Sequence, residues 1–134
     1  MIPPFDELGN LPPGIHPATP DEIDVRFGQV SELRRVQMES VRWMIDLARR
    51  ASVKRVVLNG SFVTDIMDPN DVDCVLLPGD EMIDVAAEDA LVQGLPFLDI
   101  KLVASQEFNE FVNVTFASDR FRASKGMIEV ASWT

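Results

Sequence analysis

The chain has 134 residues, of which 46% are hydrophobic and 25% charged, so its size and composition suit one globular domain. Its formal net charge of −10 argues against long duplex DNA as a ligand, because phosphate backbones attract basic surfaces. No stretch is apolar for long enough to span a membrane, and the first residues lack the basic start of a signal peptide. The single cysteine, Cys74, excludes an internal disulfide, and we therefore expect a cytoplasmic protein with no membrane contact.

The first 18 residues are rich in proline, in the stretches "IPP", "LPPG" and "HPAT". Because proline fixes φ and removes a backbone donor, we expect residues 1–18 to form an extended arm and residues 19–134 to form the domain. The next letters, "TPDE", give Thr19 as a helix N-cap and Glu22 as its partner in a capping box. This pattern predicts a short helix that Gly28 interrupts.

A second, longer helix is predicted after Ser31, which is a suitable N-cap. Apolar residues recur there at helical spacing and include Val41 and Ala48. Much of the remaining helix surface is basic, and we interpret it as a solvated face, with a phosphate-binding face as the alternative. These residues are Arg34, Arg35, Arg42, Arg49 and Arg50.

The rest of the chain alternates between apolar runs and helical patterns. Strands are predicted over 54–60, 71–78, 96–103 and 127–133, helices over 80–94 and 105–116, and a loop over 118–126. This order indicates an α/β or α+β domain whose sheet has about four strands.

Three carboxylates fall on predicted strands. Side chains alternate along a strand, so Asp71 and Asp73 point to the same face, and Asp99 lies within the next strand, "FLDIKLV". If these two strands are neighbours, the three acids form a platform for two Mg²⁺ ions, with Mn²⁺ as an alternative. Such ions would relieve the repulsion between like charges.

A Gly60-Ser61 turn follows the first apolar strand. Glycine lets a backbone turn sharply and approach a ligand, and the amides and hydroxyl that follow can hold phosphate oxygens. The competing interpretation is an acid-decorated turn, because "DPND" is good turn chemistry by itself. The combined spacing of turn, paired acids and later acid favours a metal and nucleotide site.

This combination resembles the nucleotidyltransferase superfamily, which has the DNA polymerase β-like fold. The family signature is G-[GS], a spacer, D-x-[DE] between apolar residues and a third acid on a later strand; here it reads "LNGS", "DVD" and "LDIKL". The resemblance implies a mixed sheet with helices mainly on one side, and transfer of a nucleotidyl group from an NTP with Mg²⁺ at Asp71, Asp73 and Asp99. Gly60 and Ser61 would hold the terminal phosphates.

The wider layout is similar to small bacterial members of that superfamily, related to the MNT antitoxins and AbiEii-type toxins. This similarity implies that the acceptor is a macromolecule, either an RNA or a protein such as a cognate partner, in a toxin–antitoxin or defence module. A homo-oligomer is also possible under this interpretation. An arginine usual after the Gly-Ser is missing, so the candidates for binding phosphate are Lys101, two positions from Asp99, and the cluster of Arg120, Arg122 and Lys125. Alternatively, Lys101 forms an ion pair with nearby acids, and residues 120–125 form a solvated turn. The alternative for the whole chain is a catalytically inactive binding protein with the same fold.

Overall fold

Five strands form one mixed sheet in the computed structural model, which describes residues 2–81, 84–112 and 125–133. Their bounds are β1 Gly14–Ala18, β2 Arg55–Asn59, β3 Val72–Leu77, β4 Leu98–Leu102 and β5 Gly126–Val130. The strands lie in the order β1-β5-β2-β3-β4, in which β2 is antiparallel to both β3 and β5. The outer pairs, β1 with β5 and β3 with β4, are parallel.

The expectation of about four strands was wrong by one, because residues 14–18 of the proline-rich region pair with β5. Proline favours extended backbone, and a strand at the edge of a sheet tolerates Pro17, which has no donor. This part of the chain also contributes to the core, since Leu11 and Ala18 are fully buried. The α+β class and the other four strands are confirmed.

In the part of the chain that the structure describes, four α-helices accompany the sheet: α1 Pro20–Ile23, α2 Glu32–Arg50, α3 Val85–Gln93 and α4 Ser105–Glu110. The predicted caps are present, because Thr19 and Glu22 form a capping box and the Ser31 side chain accepts from the Arg34 amide. A π-helical turn, Asp24–Gly28, continues α1. Residues 113–124 lie outside the described part of the chain, and with them the end of the predicted helix 105–116, most of the loop 118–126, Arg120 and Arg122.

The sheet separates two apolar clusters. The larger cluster joins one face of the sheet to α1, α2 and α3, and it includes Cys74. The smaller cluster lies on the opposite face, where Val57 and Val75 pack with Phe108 of α4. Alternation along β3 therefore places Asp73 on the α4 face and the neighbouring Cys74 in the larger cluster.

The prediction of a solvated arginine face is confirmed for Arg35, Arg42, Arg49 and Arg50, which are exposed. It was wrong for Arg34, which is only 1% exposed. Arg42 pairs with Asp21 and Asp24, and Arg49 pairs with Asp46, so these exposed arginines have local acidic partners. Arg34 is buried because backbone carbonyls of the segment after Gly60 replace water around its guanidinium.

Candidate functional site

A row of three polar residues crosses three neighbouring strands. In the parallel pairing of β3 with β4, Asp73 lies opposite Asp99, and in the antiparallel pairing of β2 with β3, Asn59 lies opposite Asp73. Paired residues of adjacent strands point to the same face of a sheet, so all three side chains emerge on the α4 face. The second and third apolar strands are neighbours, so the condition set for Asp99 to lie beside Asp73 is met. Asp71 lies two residues before Asp73 and is exposed.

The electrostatics of Asp73 show which charged groups surround it. Burial raises the pKa of the Asp73 carboxyl above its ordinary value, and the negative charges of Asp99 and Asp71 raise it further. The positive charges of Lys101 and Lys125 act in the opposite direction. Two acids and two lysines, all candidates from the sequence, therefore lie close enough to Asp73 to affect its proton affinity.

Gly60 brings the Gly-Ser turn into contact with this carboxylate. Its φ is +81°, and a Cβ at this position would lie 2.1 Å from Oδ2 of Asp73. A side chain here would overlap the Asp73 carboxylate unless that carboxylate moved, and the positive φ independently favours glycine. Ser61 follows at the start of a single 3₁₀ turn, Ser61–Val63, so the turn and the paired acids meet although a segment of the chain separates them.

Lys101 lies on the same strand face as Asp99, with its Nζ 3.7 Å from Oδ1 of Asp99. Both side chains are about half exposed, because β4 is an edge strand. Asp99 is therefore neither buried nor unpaired. An exposed ion pair of this kind contributes little to stability, so Lys101 can exchange Asp99 for another anion at small cost.

The fit of a divalent ion depends on donor chemistry and on geometry. Mg²⁺ is usually held by one or two carboxylates together with water and phosphate oxygens, and Asp73 and Asp99 supply two carboxylates. Asn59 is 6% exposed, and no described residue hydrogen-bonds to its buried Oδ1, so this oxygen can accept from a water or hydroxyl. In the described part of the chain, however, no three His, Cys, Asp or Glu side chains are gathered around a shared point. The donors fit Mg²⁺, but the carboxylates must rotate towards one another to share it.

Two residues of this region were missed by the sequence analysis, namely Asn59 and Arg34. Asn59 ends an apolar run, but its place beside Asp73 depends on strand pairing, which the sequence pattern does not give. Arg34 could have been found, because it precedes the buried Val41 by seven residues and the buried Ala48 by fourteen. That spacing places all three on one helix face.

The fold and this site define a mixed α+β domain with a row of oxygen donors near one edge of its sheet. The chain belongs to DUF6932, a family of unknown function whose model matches residues 3–131. Comparisons with curated proteins and with solved structures found no match. Among the described residues, no helix has both the length and the apolar character to cross a membrane.

Proposed function

We propose that this protein is a Mg²⁺-dependent nucleotidyltransferase that transfers NMP from an NTP to a macromolecular acceptor. One observation carries the proposal: the strand register sets Asp73 beside Asp99, and the Gly60 backbone lies against the Asp73 carboxylate. The family resemblance requires acids from two strands and a Gly-Ser turn to meet. Nothing in the spacing of the sequence alone forces them together.

The proposed roles follow from position and charge. Asp71, Asp73 and Asp99 hold the divalent ion, which when bound neutralises their charge and orients phosphate oxygens. Gly60 leaves space for the triphosphate, Ser61 donates to it, and Lys101 and Lys125 provide positive charge on the same side. Because burial and the nearby acids raise the pKa of Asp73, protons compete with the ion for this carboxylate at higher pH than they do for an ordinary aspartate, so ion affinity falls as the pH falls.

The acceptor would be a hydroxyl group of a protein or an RNA. The resemblance favours a cognate partner in a bacterial toxin–antitoxin or defence module, and the acceptor proton would pass to one of the three carboxylates. We place Asp99 nearest to the acceptor, because it is the exposed member of the row.

The experiment incubates the protein and a cell extract with each of the four α-labelled NTPs and Mg²⁺. We expect label on one macromolecule, and a loss of at least about a hundredfold in Asp71→Asn and Asp99→Asn. Asp89→Asn is the matched control, since Asp89 is an exposed acid of α3 away from the row. Labelling that persists in both site variants, or none with any NTP, would contradict the proposal.

A second candidate is a non-catalytic binding protein with the same fold. It is favoured by the Lys101–Asp99 ion pair and by the lack of a preformed cluster of three acids among the described residues. Calorimetry separates the two functions. Nucleotide binding that does not respond to Mg²⁺, with no transfer to any acceptor, would support the binding protein.

A further inference from the structure

Three polar residues on one face of α2 and at its N-cap donate hydrogen bonds to the same stretch of chain. Ser31 Oγ donates to the carbonyl of Met67 at 3.3 Å, and Gln37 Nε2 donates to the carbonyl of Pro69 at 2.7 Å. Arg34, midway between them, donates to several carbonyls. The spacing of three residues keeps the side chains on one helix face. All three contact the 61–70 segment, which runs from the Gly-Ser turn to Asp71.

Arg34 makes most of these contacts. Its Nη1 donates to Phe62 at 2.7 Å, its Nη2 to Thr64 at 2.9 Å, and its Nε to Ile66 at 3.0 Å. The guanidinium carbon also lies 5.2 Å from the centroid of the Phe62 ring. Further bonds reach the carbonyls of Phe27 and Ser61. A buried cation without these acceptors would be strongly destabilising, so the guanidinium and the segment fix each other's position.

Contacts outside α2 also hold the 61–70 segment. The Asp65 amide donates to the carbonyl of Gly9 at 3.0 Å, and a Cβ on Gly9 would lie 2.1 Å from Oδ1 of Asp65. The Thr64 hydroxyl donates to the carbonyl of Ser61 at 2.7 Å and closes the turn internally. The segment is thus held by side chains of α2, by the backbone of Gly9 and by its own turn.

Ser61 of the candidate site lies at the start of this segment. Asp71 directly follows the segment, and the adjacent Val72 begins β3, so Asp71 is held next to Asp73 and Asp99 by the β3–β4 pairing. We propose that Arg34 is a positioning residue that sets the Gly-Ser turn relative to the strand carboxylates, and so controls nucleotide binding more than metal binding. The effect of Arg34 on nucleotide binding rests on the proposed function, whereas its effect on the position of the 61–70 segment does not.

The test compares Arg34→Lys with Arg35→Lys, since Arg35 is the adjacent, exposed arginine of α2. Lysine keeps the charge, but three donors on one nitrogen cannot reproduce the planar guanidinium contacts. In Arg34→Lys we expect faster hydrogen exchange at amides 61–70 with unchanged exchange in β3 and β4. Mn²⁺ affinity should change by less than about threefold, and affinity for Mn²⁺-NTP should fall by about tenfold or more. Arg35→Lys should match the wild type in hydrogen exchange at residues 61–70, in Mn²⁺ affinity and in affinity for Mn²⁺-NTP.

The outcomes separate this inference from the proposed function. Unchanged exchange at 61–70 in Arg34→Lys, or equal losses of Mn²⁺ and nucleotide affinity, would overturn the inference. If the wild type binds no nucleotide, the proposed function fails, and the exchange measurement decides the inference by itself. If Arg34→Lys does not fold, Gln37→Met serves instead, because it removes one donor to the segment at similar volume; unchanged exchange at residues 67–70 would then overturn it.

Discussion

At the scale of single residues, the contact between Gly60 and Asp73 connects the two motifs of the site. Gly60 has a positive φ, which lets the chain turn sharply at the end of β2. The Asp73 carboxylate occupies the space where a side chain at this position would lie. The cost of replacing Gly60 should therefore depend on Asp73 as well as on backbone strain.

We expect Gly60→Ala to lower the free energy of unfolding by roughly 1–3 kcal/mol more than Gly94→Ala does, because only the alanine at position 60 would overlap the Asp73 carboxylate. Gly94 is a matched control, because its φ is +95° but nothing lies within 4 Å of its added Cβ. In an Asp73→Ala background the difference between the two variants should largely disappear. Urea denaturation measures all of these values. Equal costs in the wild-type background would show that the contact with Asp73 is unimportant.

At the scale of elements, β1 and the residues before it belong to the packed structure. Leu11 is 0% exposed and the Gly126 amide donates to its carbonyl at 3.0 Å, so this region holds the start of β5. Its five-residue strand, "GIHPA", has little alternation and a proline, so the pattern did not predict a strand. β1 forms because β5 offers it an unpaired edge.

Leu11→Ala should lower the free energy of unfolding by about 2–5 kcal/mol, because it leaves a cavity in the larger cluster. The matched control is Leu8→Ala, where the residue is 74% exposed and the change should stay within about 0.5 kcal/mol. Thermal and urea unfolding measure both variants. Similar, small effects would mean that the proline-rich region contributes little to the core.

At the scale of the whole molecule, the fold concentrates negative charge around a partly buried carboxyl. The sequence has twelve acids and one base between Asp65 and Glu110, and strand pairing sets Asp73 among three of the charged groups from this stretch. Proteins tolerate such repulsion at sites of function more often than elsewhere, and stability is lost as a result.

The pH dependence of unfolding tests this arrangement. Because the pKa of Asp73 is raised in the folded state, the folded protein holds this proton more tightly, and stability declines as pH rises from the ordinary carboxyl value through the raised one. Without divalent ions, Asp73→Asn should be more stable than the wild type by roughly 1 kcal/mol near neutral pH, and the gain should shrink in acid. Asp89→Asn is the control. An Asp73→Asn variant that is less stable than the wild type near neutral pH would contradict this account.

The sequence by itself determined the helix caps at Thr19 and Ser31 and the positions of β2, β3, β4 and β5, because these depend on local periodicity and capping chemistry. Only the tertiary structure decided that β1 joins the sheet, that Asp99 and Asn59 flank Asp73, and that Arg34 is buried. These features depend on which strands pair with one another and on the backbone carbonyls of the 61–70 segment that accept hydrogen bonds from α2. Both involve residues far apart in the chain, whose contacts local patterns do not encode.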